Sequence, residues 1–383
     1  MINVKKMKII HVQLLPLLSG VQKVTLDEME RLDPTRFDKI LICKCPGELT
    51  DRLSGLGVRF NYISDLKRDI SPINDIRAFF ALVKVFLHEK PDIVHSHSSK
   101  TGILARFAAY ISRVPKIIHT VHGFSFPAES RFLVRSLYYL LEYMAGKITT
   151  KLIVLNDEDL GIAAHTLGIP KTRIVLLPNG VDCEVYRPPI LCERDKVRKL
   201  SYGIDDNKFI LIGMVGRLWR QKNPQCFFDA ATIVLSSHKN VFFYFIGDGE
   251  MRDEIEGMIS SHHLSSNVHI MGWRSDVPML LRGLDIMVLP SRWEGMPLSI
   301  LEAMASGLPV VVSDIPGNNH IVSHNINGLL FSPEDSNHLA RLLLDLIDNK
   351  DRRFNISSRA RADIIASYRL EGRISSVISL YQS

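Results

Sequence analysis

Two carboxylates, Glu294 and Glu302, stand eight positions apart in Pro290-Ser-Arg-Trp-Glu-Gly-Met-Pro-Leu-Ser-Ile-Leu-Glu-Ala-Met-Ala-Ser-Gly-Leu-Pro-Val-Val-Val312. Leu284-Asp-Ile-Met-Val-Leu289 ahead of them reads as a buried strand. Pro297 suits the first turn of a helix, where its missing N–H costs nothing. Glu294 then lies in the strand-to-helix loop, and Glu302 about one and a half turns into the helix. The unpaired N–H groups near Met296, Leu298 and Ser299 carry partial positive charge and seat a phosphate; Pro297 itself has none to give. Paired carboxylates alone would suit hydrolysis of a glycosidic bond. Beside a phosphate seat they suit a hydroxyl-rich ligand that carries phosphate, such as a nucleotide sugar. The competing reading is an amphipathic helix with two solvated Glu.

Basic residues stand where such a ligand needs them. Gly213-Met-Val-Gly-Arg-Leu-Trp-Arg-Gln-Lys-Asn223 puts Gly216, Arg217 and Lys222 after an apolar strand. Breaking a sugar–phosphate bond leaves negative charge on the departing phosphate, and fixed cations there lower the barrier. Ile246-Gly-Asp-Gly-Glu250 closes another strand on a turn containing Gly247, and Gly272-Trp-Arg-Ser-Asp-Val277 carries Trp273 and Arg274. In the first half, Thr120-Val-His-Gly-Phe-Ser-Phe126 brings His122 to a strand end. Leu15–Lys23 holds Gly20 before a helix, where backbone can approach a phosphate closely. This loop lacks the G-x-G-x-x-G fingerprint, which counts against a dinucleotide oxidoreductase. His95 and His97 share a strand face, but no third or fourth ligand is evident nearby and no D-x-D follows a strand. No metal is therefore expected. Ser98 and Lys100, just beyond, are candidates to touch an acceptor or its phosphate.

Together these strings resemble glycosyltransferase family 4, retaining enzymes of the GT-B fold, in its bacterial surface-polysaccharide (O-antigen and capsule) form. The resemblance covers nearly the whole chain and is strongest in Glu294–Pro309 and Gly213–Asn223. It implies an α/β fold of two Rossmann-like domains facing across a cleft. It implies transfer of a sugar from a nucleotide-diphosphate donor, UDP-hexose or UDP-N-acetylhexosamine, to a hydroxyl of a lipid-linked glycan. Arg217 and Lys222 would hold the leaving diphosphate, Glu294 and His122 the sugar, and Glu302 the ribose. Gly20, Gly216, Gly247, Met296, Leu298 and Ser299 would approach the diphosphate, and Trp273 and Arg274 the base. No cofactor is implied, and with no clear enzymatic nucleophile in the first domain, a donor phosphate oxygen would take the acceptor's proton. Two departures stand out: Asn223 replaces the family's Gly, and Ser19 and Gln22 replace the Gly and Glu of its first loop. The alternatives are a nucleotide-sugar epimerase of similar fold and a non-catalytic nucleotide- or glycan-binding relative.

The elements that must position these residues are legible as alternation. The 383 residues exceed one ordinary core. Apolar strands Met7–Val12, Asp38–Cys43, Asp92–His97, Lys116–His122, Leu152–Leu155 and Ile174–Leu177 alternate with helical patterns in the first half. Phe209–Val215, Val241–Ile246, Val268–Met271, Ile286–Leu289 and Val310–Val312 do so in the second, which implies parallel sheets with crossover helices. The expected division is 1–187 as acceptor domain, 188–365 as donor domain, and a final helix 366–383 that the resemblance returns to the first domain. Ligands of such sheets sit beyond the carboxyl ends of the strands, where every motif above falls.

Bulk properties narrow the setting. A net charge of +6 fits phosphorylated substrates or an anionic membrane. No Lys/Arg block interleaved with aromatics points to nucleic acid. Five Cys without paired spacing support neither a disulfide framework nor a zinc site. No signal peptide is visible at Met1–Lys8 and no apolar run reaches membrane-spanning length, so a cytoplasmic enzyme is expected, peripheral on the inner face of the plasma membrane. Helical segments Ile73–Glu89 and Arg131–Met144 are aromatic-rich and partly basic. They suit either a membrane interface or burial against a sheet.

Overall fold

The computed structural model describes residues 6–124, 126–127, 131–206 and 208–383. Met1–Lys5, Ser125 of the His122 string and Asn207 lie outside them. Two compact units divide the chain: Met1–Asn179 with Arg373–Ser383, and Gly180–Gly372. The division falls at Asn179/Gly180 rather than at 187/188, because Val181 bridges to Arg369 and belongs with the second unit.

The first unit carries seven parallel strands: β1 Met7–Val12, β2 Phe37–Cys43, β3 Val58–Tyr62, β4 Ile93–His97, β5 Lys116–Thr120, β6 Lys151–Val154 and β7 Ile174–Leu176, in the order β3-β2-β1-β4-β5-β6-β7. The second carries β8 Ile210–Val215, β9 Val241–Ile246, β10 Val268–Ile270, β11 Ile286–Leu289, β12 Val310–Ser313 and β13 Leu329–Phe331, in the order β10-β9-β8-β11-β12-β13. Both sheets reverse direction of growth beside their first strand, between β1 and β4 and between β8 and β11. That reversal parts the loops above the strand ends and opens the crevice where doubly wound sheets bind ligands.

The strands are buried on both faces. In the second unit Ile212, Met214, Phe243, Phe245, Ile286 and Val288 pack with Phe227, Phe228 and Val234 of helix Pro224–Ser237. Such continuous apolar runs are what a parallel sheet requires, and they made these strands visible. β3 and β13 escaped the sequence reading. β3 is a half-exposed edge strand, and Leu329–Phe331 is three residues long. The expected C-terminal helix is Leu370–Gln382, and a separate helix, Lys350–Ser367, precedes it. Val377 and Tyr381 of the C-terminal helix are buried against Ile9, Ile93 and Ile118.

Two helices bury one face and leave apolar side chains of another face exposed. Of Pro72–Glu89 only Ala78, Leu82 and Phe86 are buried, while Ile73, Ile76, Phe80 and Leu87 are exposed. Of Phe132–Ile148 only Glu142, Ala145 and Gly146 are buried. Phe132, Leu133, Leu137 and Leu140 face solvent, with Leu133 80 % exposed. Both helices flank helix Ser99–Ile111, so these side chains belong to one side of the first unit. None of the described helices is long and apolar enough to cross a membrane.

Candidate functional site

The reversal between β8 and β11 gathers the second unit's motifs. Arg217 and Lys222 follow β8, Gly247 follows β9, and Glu294 follows β11. Backbone bonds hold the loops together: Gly216 N–H donates to Ile246 O at 3.1 Å, Leu218 N–H to Asp248 O at 2.9 Å and Met251 N–H to Leu218 O at 3.0 Å. Gly247 also bridges Gly272. Gly247 has a φ of +149°, and a Cβ there would run into the Gly216 carbonyl, so no other residue fits that crossing.

Lys222 meets Glu294 across this gap. Its Nζ donates to Glu294 Oε1 at 2.5 Å. Ser291 Oγ donates to the same oxygen at 2.6 Å, and Gln221 Nε2 reaches Oε2 at 3.5 Å. The Glu294 side chain is 8 % exposed and that of Lys222 17 %. The backbone of the two loops is laced as well: Arg292 N–H donates to Gln221 O at 2.8 Å and Gln221 Nε2 to Trp293 O at 2.9 Å. Asn223, the departure from the family's Gly, sits at φ +52° as the residue before helix Pro224–Ser237. Asn is the side chain that best tolerates this left-handed region, so the substitution keeps the turn.

Arg217 pairs with exposed Glu250 at 3.0 Å and lies over the Trp219 ring, 5.0 Å from its centroid. The helix of the two-carboxylate motif spans Leu298–Ala305, one residue later than expected, with Pro297 just outside it at ψ 123°. Leu298 and Ser299 are then its first residues. Glu302, half-buried, is the fifth. Met296 is buried in the loop before it. Trp273 is 63 % exposed and so does not pack in the core. The Arg274 guanidinium forks onto Asp276 at 2.7 and 2.6 Å and holds that carboxyl below its usual range. With Arg274 committed to Asp276, the exposed Trp273 ring and the loop's backbone groups are left to meet a base.

Sequence reasoning missed the supports of Glu294. Ser291 and Gln221 bind its carboxylate, and Gly317 passes so close that a Cβ would strike the Glu294 carbonyl. Ser291 stands in the quoted motif, three residues ahead of Glu294. Gly317 gave only a Pro-Gly turn signal, which does not name its neighbour.

In the first unit, Gly20 opens helix Gly20–Arg31, and a Cβ built on it points into open space. Lys100, beyond β4, is paired with Asp75 at 2.6 Å, and Ser98 precedes helix Ser99–Ile111. His122 is half-buried after β5, its Nε2 3.3 Å from His97 Nδ1. Desolvation, then the nearby Arg373 charge, lowers its pKa to about 3, so the ring is neutral at pH 7. The reading that His95 and His97 lack further ligands is corrected by the fold. His11, in register with His95, and Glu28 bring ligand atoms within 4.8 Å of theirs. Three-dimensional pairing of distant segments made a cluster that sequence spacing hides. Its chemistry still does not suit a divalent ion. Glu28 is already paired with Arg373 at 2.9 Å, and the histidines bond to one another. A dication beside Arg373 and one carboxylate would leave buried charge uncompensated.

Comparison with known proteins also matches the chain in two parts. Residues 18–185 match the family described as Glycosyltransferase Family 4, and residues 199–363 that described as Glycosyl transferases group 1. The chain is 42 % identical over 380 residues to the UDP-Gal:alpha-D-GlcNAc-diphosphoundecaprenol alpha-1,3-galactosyltransferase of Escherichia coli, covering 98 % of this chain and 97 % of that one. It is 28 % identical over 340 residues to the N,N'-diacetylbacillosaminyl-diphospho-undecaprenol alpha-1,3-N-acetylgalactosaminyltransferase of Campylobacter jejuni, covering 86 % and 87 %. Among solved structures, Anabaena HepE in complex with UDP and glucose matches with a TM-score of 0.84 at 20 % identity, over 98 % of this chain and 100 % of that one. That likeness shows the GT-B fold class.

Proposed function

The chain belongs to the family 4 glycosyltransferases, and we propose that it moves a hexose from UDP to a hydroxyl of the sugar on a polyprenyl diphosphate, with retention. The Lys222–Glu294 pair at the β8/β11 reversal carries this reading. It sets a cation for the leaving diphosphate beside a carboxylate for the sugar's hydroxyls. Galactose is favoured as the hexose, and an N-acetylhexosaminyl diphosphate lipid as the acceptor, because the Escherichia coli relative at 42 % identity is named for both. That relative forms an alpha linkage from a donor whose sugar is itself alpha-linked, which is retention.

In this scheme Lys222 and Arg217 hold the diphosphate as charge develops, and the N–H groups of Leu298 and Ser299 add their share. Glu302 binds the ribose hydroxyls, exposed Trp273 offers a flat face to the base, and His122 orients the sugar. Glu294 acts as a clamp rather than a nucleophile. Its Oε1 already accepts from Lys222 and Ser291, which leaves it poorly placed to attack carbon. The donor's own phosphate oxygen then takes the acceptor's proton, and no metal is required. A panel of UDP-sugars with a short lipid-linked GlcNAc diphosphate, read by mass spectrometry, tests the proposal. UDP release coupled to a new hexosyl product is expected with UDP-galactose. Donor conversion without acceptor would mark an epimerase, and binding without UDP release a non-catalytic relative.

A lipid-linked acceptor also accounts for the apolar side of the first unit. Helix Phe132–Ile148 displays Phe132, Leu133, Leu137 and Leu140 with Arg135 and Lys147, and its one acid, Glu142, is buried against Arg106. Apolar side chains rimmed by cations suit the surface of an anionic bilayer. The protein is expected to float with vesicles containing anionic lipid at low salt. Leu133→Asp together with Leu137→Asp should lower the bound fraction at least about tenfold. Equal flotation of wild type and variant would remove this helix from the interface.

A further inference from the structure

Six side chains from four segments form one continuous hydrogen-bonded chain inside the first unit. Thr120 Oγ1 lies 2.8 Å from His95 Nε2, and His95 Nδ1 lies 2.6 Å from the Tyr381 hydroxyl. That hydroxyl lies 3.2 Å from His11 Nε2, and His11 Nδ1 lies 3.2 Å from His97 Nε2. His97 Nδ1 ends the run 3.3 Å from His122 Nε2. All members but half-buried His122 are buried. Sheet register builds it: His11 pairs with His95 and His97 with Thr120 on adjoining strands, and the last helix lays Tyr381 across them.

A neutral imidazole has one N–H and one bare nitrogen. The rings are joined through the buried Tyr381 hydroxyl, which would leave its own proton without an acceptor if it accepted from both His95 and His11; with that proton spent inside the chain every bond points the same way, and two arrangements remain. In one, each group donates toward His122, which receives at Nε2 and keeps its proton on Nδ1. In the other, His122 donates from Nε2 and Nδ1 is bare. Burial keeps these histidines neutral, so a mixed arrangement with an imidazolium is excluded at pH 7.

One further group chooses between the two. Glu28 Oε2 is buried, has no hydrogen-bond partner and lies 3.7 Å from His95 Nδ1. A carboxylate oxygen attracts a proton on that nitrogen and repels a lone pair there. His95 Nδ1–H then donates to Tyr381, Tyr381 to His11, His11 to His97 and His97 to His122.

We propose that Thr120, His95, Tyr381, His11 and His97 are positioning residues that, under the field of Glu28, fix His122 as its Nδ1–H tautomer. His122 thereby offers an N–H donor, opposite to the tautomer free imidazole side chains favour. The link to sugar transfer rests on the role proposed for His122, while the tautomer itself does not.

Long-range proton–nitrogen spectra of histidine-labelled protein test this, with the His122 signals identified by their loss in His122→Gln. The wild type should show His122 as a single Nδ1–H tautomer. Tyr381→Phe keeps the ring but cuts the chain between His95 and His11. It should turn His122 toward the Nε2–H form and lower kcat roughly tenfold, as one lost oriented hydrogen bond does, with the donor KM within about twofold. Glu28→Gln removes the charge that sets the direction and should shift His122 the same way, which keeps the test decisive if Tyr381→Phe fails to fold. An Nε2–H His122 in the wild type, or no change in both variants, would overturn the proposal. So would stoichiometric metal whose chelation alters the histidine signals. Wild-type transfer by His122→Gln would instead remove the role of His122 and leave the tautomer result standing.

Discussion

Lys222→Ala is expected to lower kcat/KM for sugar transfer by on the order of a thousandfold, the loss that accompanies removal of one preorganised group facing developing charge. Lys222 stands at the end of β8, against the loop that follows β11, and its ammonium is fixed 2.5 Å from Glu294 Oε1. A cation held that way needs no reorganisation when the sugar–phosphate bond breaks. Glu294→Ala is expected to fall by a similar factor, because it removes the sugar's clamp and frees Lys222 to move. Glu294→Gln separates the two roles. It still hydrogen-bonds to a sugar hydroxyl but no longer anchors the ammonium, so its kcat should fall more than its donor affinity. Steady-state kinetics with a circular-dichroism check of folding measure all three. Wild-type turnover in both alanine variants would refute the assignment.

Acid is expected to unfold this protein at an unusually mild pH. His11, His95, His97, His119 and His122 all have folded pKa values below the ordinary 6.5 because burial disfavours their charged form, with His11 and His122 at about 3. The sign follows from linkage. The unfolded chain gains protons below pH 6.5 that the folded chain refuses, so stability is full above that pH and falls as acid is added. Two buried carboxyls act the other way. Asp159, raised to about 6, and Glu28, also raised, keep protons more tightly when folded. The five histidines outnumber the two carboxyls, so the unfolded chain takes up protons on balance and stability falls as the pH drops below about 6.5. Against a typical stability of about 5–15 kcal/mol, uptake of several protons at about 1.4 kcal/mol per proton and pH unit places unfolding between about pH 5 and 3. Denaturant midpoints measured from pH 7.5 to 4.5 test it. His119→Gln, outside the hydrogen-bonded chain, should reduce the slope by about one proton. A flat profile over that range would contradict the neutral, buried state of the cluster.

Much of the second unit's site was legible because it is local. Glu294, Pro297 and Glu302 lie within nine residues, and a strand-to-helix handover can be read from hydrophobic runs and one proline. Arg217 and Lys222 announce themselves by following an apolar strand. What spacing did not reveal is partnership. That Lys222 binds Glu294, 72 residues on, depends on β8 and β11 being neighbours in the sheet, and strand order is not written in periodicity. The two aromatic-rich helices left two readings open for a related reason. An aromatic-rich helix has the same composition whether its second face meets a sheet or a bilayer.

The first unit makes the division sharpest. His95-x-His97 was visible as two histidines on one strand face, and no more could be said of them from spacing. His11, Glu28 and Tyr381 come from β1, a helix and the far end of the chain, with 286 residues between His95 and Tyr381. The sequence by itself determined the class: alternating strands and helices, two sheets, and candidate motifs gathered at the strand ends. These follow from side-chain period and short-range sterics, which act within a few residues. Only the tertiary structure decided which charges meet, which histidines are stripped of water, and which helix faces stay exposed. Those depend on burial and on contacts between remote segments, and the free energy that governs them exists only once the chain has folded.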